Sequence, residues 1–183
     1  MIAQPTKSKS CPFLRLSAVA LAVLVALIPL GAAAAAAAQD ATESKAECER
    51  SSRSPEGSWL YTVNIPGYTF LGIETYSAGG GYTEADQLSF LPGAVASAGH
   101  GAWKMTGERT FDLTYLNLTF DAFNTGVPTG TLKVRQTTRI SKNGNYYTGS
   151  GDYTYYDPNG NPIPSISGTF TITATRILVE APK

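Results

Sequence analysis

The sequence predicts an all-β protein: a single antiparallel up-and-down eight-stranded barrel that follows an N-terminal signal peptide and a short disordered arm. Three observations carry that expectation. From Trp59 onward, segments rich in Thr, Tyr, Val, Ile and Phe alternate with clusters of Gly, Pro, Asn and Asp, the composition of strands divided by turns. No stretch of ten or more residues beyond Trp59 has helical spacing. The chain has 183 residues, a length that fits one domain once an export segment is set aside.

The first 38 residues carry that export signal. Lys7, Lys9 and Arg15 precede an apolar run from Leu16 to Leu30, and Gly31 leads into alanines from Ala32 to Ala38. This is the order of a cleavable secretory signal, with the cut expected after Ala38. The stretch from Leu16 to Ala38 has the length of a membrane anchor, but Pro29 and the weakly apolar alanines argue against one. The expected location is therefore secreted or periplasmic, with no membrane association after cleavage. Cys11 falls within the signal and leaves Cys48 alone, so the mature chain has no intramolecular disulfide.

Residues 39–56 form the arm. They include no aromatic residue and no Ile, Leu or Val, and eight of the 18 are charged. Such a segment buries too little apolar surface to offset its ordering entropy. Folding is expected from Gly57, giving a barrel domain over 57–183. The whole chain has 14 basic and 14 acidic residues, but the mature part keeps 11 basic against 14 acidic, a net charge of −3. That balance excludes a nucleic-acid footprint. One His and one mature Cys argue against a zinc site, and no cofactor motif occurs.

Strands are expected at 58–65, 68–77, 81–90, 100–106, 109–122, 129–141, 145–156 and 165–179. Pro66-Gly67 divides the first two, and Gly79-Gly80-Gly81 opens the third as a turn rather than a phosphate loop, since no helix follows it. Gly107-Glu108 is a tight link and Asn124–Pro128 a longer one. Asn143-Gly144 reads as a type I′ hairpin turn, and Asp157–Pro162 closes the last hairpin. Leu132, Val134, Gln136, Thr138 and Ile140 share one face of the sixth strand, and Phe170, Ile172, Ala174 and Arg176 one face of the last. One face is thus buried and one wet. In the fifth strand Phe111, Leu113 and Tyr115 alternate, then Leu116, Leu118 and Phe120 take the other phase, which calls for a bulge near Tyr115 or Leu116. Eight strands in short connection form a sandwich or a barrel, and their length favours closure, which leaves no edge exposed.

Six residues are candidates to line a ligand site. Tyr147, Tyr153 and Tyr155 share a face of the seventh strand with Gly149 and Gly151 between them, and Tyr115 adds a fourth phenol. Small residues beside large ones open room, and phenols hold a polar group. Glu84 shares a strand face with Asp86, about 7 Å away, in reach of a joint acid–base task if that face points inward. His100, the one histidine, is the side chain poised to titrate near neutrality; the same position suits a loop-ordering role. No catalytic residue is assigned. Asn117-Leu118-Thr119 is a glycosylation sequon placed inside a strand.

Gly57-Ser58-Trp59 opens the first strand and Arg176 lies in the last. This pattern resembles the G-x-W signature of the calycin superfamily, which includes lipocalins and avidin-like proteins. The resemblance implies a structural pair, with Trp59 closing one end of the barrel and Arg176 packed across its ring. The lipocalin helix, disulfides and T-D-Y motif are missing, and the size is nearer avidin-like or allene-oxide-cyclase-like barrels. Gly99-His100-Gly101-Ala102-Trp103 is similar to the G-H-G-x-W segment of short exported bacterial barrels, a likeness from which no activity follows.

The expected function is binding of a small apolar or aromatic molecule inside the barrel. Two alternatives stand beside it: a cyclase or isomerase acting on a small hydrophobic substrate there, and a filled barrel with a structural or loop-mediated role. An inward acid with a raised pKa favours the enzyme, and an apolar interior the carrier. Whether the barrel forms a homo-oligomer stays open.

Overall fold

The computed structural model describes residues 53–87, 90–91, 94–123 and 126–182. The expected signal peptide, and the arm up to residue 52 with Cys48, lie outside the described residues. Ten strands are present among the described residues: β1 (Gly57–Ile65), β2 (Tyr68–Tyr76), β3 (Gly81–Asp86), β4 (Phe90–Leu91), β5 (Ala94–Ala96), β6 (Gly99–Met105), β7 (Thr110–Phe120), β8 (Pro128–Ile140), β9 (Tyr146–Tyr156) and β10 (Gly168–Arg176). Eight of them pair antiparallel in the order β1, β2, β3, β6, β7, β8, β9, β10, and β10 returns to β1. The sheet is therefore a closed eight-stranded barrel, and the two short strands β4 and β5 form a hairpin beside the end of β7.

Side chains alternate between interior and solvent as the pleat requires. Val134, Gln136, Thr138 and Ile140 of β8 are buried, as are Phe170, Ile172 and Ala174 of β10. The last strand is shorter than 165–179, because Pro164–Ile166 form a single 3-10 turn before it. The third strand stops at Asp86 rather than residue 90, and the stretch expected to be loop contributes the β4–β5 hairpin.

Two turn and register expectations are corrected. The β8–β9 connection has its turn on Lys142-Asn143, since the Gly144 N–H donates to the Ser141 carbonyl. Gly144 is the fourth residue of that turn, at φ +72°, and not a central one. In β7 no bulge occurs at Tyr115 or Leu116; the register to β8 runs unbroken until a shift between Thr119 and Phe120. Leu116 and Leu118 face solvent at 47% and 56% exposure, while Asn117 is 3% exposed. Phase is held because Asn117 finds partners inside, as shown below, and this outweighs burial of two leucines.

One end of the barrel is solid. Trp59, Tyr76, Phe111, Ile140 and Tyr147 are buried there, with the Trp59 and Tyr147 ring centroids 4.9 Å apart. Trp59 and Arg176 are register partners across the β1–β10 seam, and the guanidinium carbon lies 4.2 Å from the Trp59 ring centroid. Arg176 also donates from Nε to the Gly144 carbonyl at 2.8 Å, from Nη2 to that of Ser54 at 2.9 Å and from Nη1 to that of Glu56. The Trp59 indole N–H donates to the Pro55 carbonyl at 2.7 Å. Pro55 is itself buried, so the folded unit reaches back past Gly57 into the last residues assigned to the arm.

Arg176→Met keeps much of the stem but removes the cation over Trp59 and all three carbonyl contacts. It is expected to lower stability by about 3 kcal/mol, measured by urea unfolding. Arg176→Lys is expected to recover only part, because an ammonium lacks the planar fork. A stability loss within error of zero in Arg176→Met contradicts this account of the seam.

Candidate functional site

The interior below the barrel's midpoint is organised by two buried carboxyls. Glu74 of β2 and Glu84 of β3 are register partners, 2% and 3% exposed. Burying a carboxyl demands hydrogen-bond donors, and each has them. Tyr82 donates to Glu74 at 2.8 Å, and Tyr147 donates to its other oxygen. Tyr61 donates to Glu84 at 2.9 Å and the Asn117 amide at 2.7 Å. Asn117 Nδ2 also donates to the Ser97 carbonyl at 2.9 Å. Those two acceptors fix the amide's orientation, and the sequon asparagine is thereby locked inside the barrel.

Glycines make room for these contacts. Tyr61 faces Gly72 across the β1–β2 pair, and its ring lies over that residue on the way to Glu84. A Cβ at Gly72 would collide with the Tyr61 ring and hydroxyl, and one at Gly99 with the Glu84 carboxyl. Neither glycine is at positive φ, so space rather than backbone conformation demands them.

Burial pushes the Glu74 carboxyl up to about 7, against the pull of Tyr147, Tyr82 and Tyr76 and with a further push from Glu84. Burial, then the Asp86 charge, raises Glu84, while Asn117, Tyr61 and the Gly99 N–H draw it down. Tyr61, Tyr82 and Tyr115 are raised first by burial and then by neighbouring phenols and carboxyls. They therefore stay neutral at physiological pH, Tyr61 and Tyr82 as donors to the acids.

Above this layer the barrel is hollow. A cavity of about 530 Å³ lies at the end opposite Trp59. Val63, Phe70, Leu132, Val134 and Phe170 give it apolar walls. Tyr115, Tyr153, Tyr155 and Tyr156 bring phenols, and Asp86, Asn117, Thr119, Asp121 and Thr129 bring other polar groups. Rings run from the solid end to its floor: Phe111 meets Tyr76 at 5.2 Å, Tyr76 meets Tyr82 at 5.0 Å, and Tyr82 meets Tyr115 at 5.1 Å.

The six sequence candidates divide accordingly. Tyr115, Tyr153 and Tyr155 line the cavity. Glu84 sits beneath it, engaged by Tyr61 and Asn117, and only Asp86 of the acidic pair reaches the wall. Tyr147 belongs to the solid end, against Trp59 and Glu74. His100 is on the outer surface, exposed between its partners Thr83 and Leu116. The reason is periodic: Glu84 and Tyr115 require glycines at the inward positions 99 and 101, so the residue between them points out. Gly151 opens no room either, since Phe170 fills the space beside it. Glu74 and Asn117 were not among the candidates. Glu74 alternates with Phe70, Gly72 and Tyr76 on one face of β2, but Leu71 and Ile73 make the other face look equally apolar. Among the described residues no three His, Cys, Asp or Glu side chains converge as metal ligands do.

Two predictions follow from this layer. Glu74 binds its proton more tightly folded, at about 7, than at the ordinary 4.5. The resulting stabilisation is complete below the ordinary value and lost as pH rises through about 7. On the order of 3 kcal/mol is expected to disappear across that window, seen as a falling melting temperature between pH 5 and 8. Glu74→Gln, which mimics the protonated acid, is expected to flatten the fall to the smaller share from Glu84; a wild-type curve that is level or rising sinks the assignment. Gly72→Ala is expected to cost about 2 kcal/mol through overpacking against Tyr61, read by chemical denaturation.

The closed eight-stranded antiparallel barrel, with Trp59 and Arg176 at its solid end, is compatible with a calycin-like fold. Comparison with known proteins found no matching family model, no matching curated protein and no matching solved structure.

Proposed function

We propose that the protein is an exported binding barrel that encloses one small, largely apolar molecule at its open end. The observation that carries this reading is the cavity: about 530 Å³, within the range of small-molecule sites, in a barrel whose other end buries Trp59, Tyr76, Phe111, Ile140 and Tyr147. Its walls combine aliphatic and aromatic surface with a few convergent polar groups, the composition that supplies affinity and orientation separately. An apolar ligand burying about 200 Å² there gains about 5 kcal/mol before the costs of association. Export is supported by the charged, apolar and small-residue order of residues 1–38.

Enclosure is favoured over turnover by the placement of the acids. Glu74 and Glu84, the carboxyls with raised pKa, are each held by two side-chain donors and neither lines the cavity. A cyclase or isomerase using them as proton donors would first have to free them from those phenols and the Asn117 amide.

The test is titration with N-phenyl-1-naphthylamine, a neutral aromatic probe whose emission rises in apolar surroundings. The wild-type chain is expected to bind it in the micromolar range. Leu132→Trp, which puts an indole into the cavity from β8, is expected to weaken binding by about tenfold or more, with the melting temperature checked in parallel. A wild-type chain that gives no enhancement refutes enclosure.

A further inference from the structure

The polar groups on the cavity wall point to one kind of ligand head. Among the described residues, Asn117 Oδ1 is the one buried side-chain polar atom with no hydrogen-bond partner. It is an acceptor, because the amide nitrogen is committed to Glu84 and the Ser97 carbonyl. A buried acceptor without a donor carries the full cost of its lost hydration, and Asn117 lines the cavity.

Its surroundings have one sign. Asp86 and Asp121 line the same cavity, and none of its described lining residues is Lys, Arg or His. Asp86 lies two positions from Glu84 on β3 and so on the same face, and its charge is felt there, raising the Glu84 carboxyl. Arg176 is remote, at the solid end over Trp59. The lining thus includes carboxyls, the residue that carries the orphan acceptor, and the aromatic side chains of Phe70, Tyr153 and Phe170. A protonated amine suits all three: N–H donors for the acceptor, charge for the carboxyls, and a cation for the rings. A carboxylate ligand would bring like charge and no donor.

We propose that the cavity takes an amphiphilic amine, with the apolar body against the aliphatic and aromatic walls and the ammonium at the Asp86–Asn117 side. This rests on the binding reading above and narrows it to a ligand class.

The experiment displaces bound N-phenyl-1-naphthylamine with decylamine, decan-1-ol and decanoate at pH 7.5, so that tail length is constant and only the head changes. Decylamine is expected to compete at a concentration about tenfold or more below that of decanoate, with the alcohol between. Asp86→Asn, a near-isosteric change at a partly exposed site, is expected to shrink the amine-to-acid ratio by about fivefold or more. Decanoate competing as well as decylamine, or a ratio unchanged in Asp86→Asn, overturns this inference while leaving enclosure intact. Failure of the probe itself to bind the wild-type chain overturns both.

Discussion

Two carboxyls buried inside the barrel set the terms for much of the structure around them. Glu74 and Glu84 face each other across β2 and β3, out of water, where an unsatisfied acid is costly. Their need for donors explains why tyrosines rather than phenylalanines occupy positions 61, 82 and 147. It explains why Asn117 faces in between two outward leucines, and why positions 72 and 99 have no side chain. The polar layer also divides the barrel, with aromatic packing on the Trp59 side and open space on the Asp86 side. A network of this kind is sensitive to every member, because removing one donor leaves a buried acceptor behind.

The electrostatics inside are correspondingly one-sided. Glu74, Glu84 and Asp86 all point inward, whereas Arg176 is held at the rim by main-chain carbonyls. Phenols answer the buried acids instead of ammonium or guanidinium groups. A phenol can donate without bringing charge, so the interior avoids a buried ion pair and its desolvation cost. Burial nevertheless holds the Glu74 carboxyl up at about 7, against the pull of those phenols.

Much of the fold was legible in the residues. β8 and β10 alternate strictly, so their inward faces could be read directly, and the turn clusters separate all eight barrel strands. Legibility failed where the interior is polar. Asn117 sits between Leu116 and Leu118, so a hydrophobic rule assigns those leucines to the core and invents a bulge; the partner that reverses this, Glu84, is 33 positions away. Glu74 escaped for the mirror reason, because Leu71 and Ile73 make the solvent face of β2 look like a core face. Three cavity tyrosines were readable from their shared or alternating positions, whereas His100 misled: its flanking glycines serve Glu84 and Tyr115, and the histidine only occupies the outward place between them.

The seam between β1 and β10 bears on how the chain comes to be folded. Arg176 and the Ser54 carbonyl are 122 positions apart, so the contact that completes the cylinder joins nearly the two ends of the domain. Neighbouring hairpins can zip locally, but this pairing must wait for the last strand and bear the entropy of the longest loop. Until it forms, β1 and β10 are open edges able to pair with other chains. A nascent domain would therefore be most prone to aggregate in the interval before its final strand arrives. The guanidinium that clasps Trp59 and the backbone of residues 54–56 acts at the moment when that hazard ends.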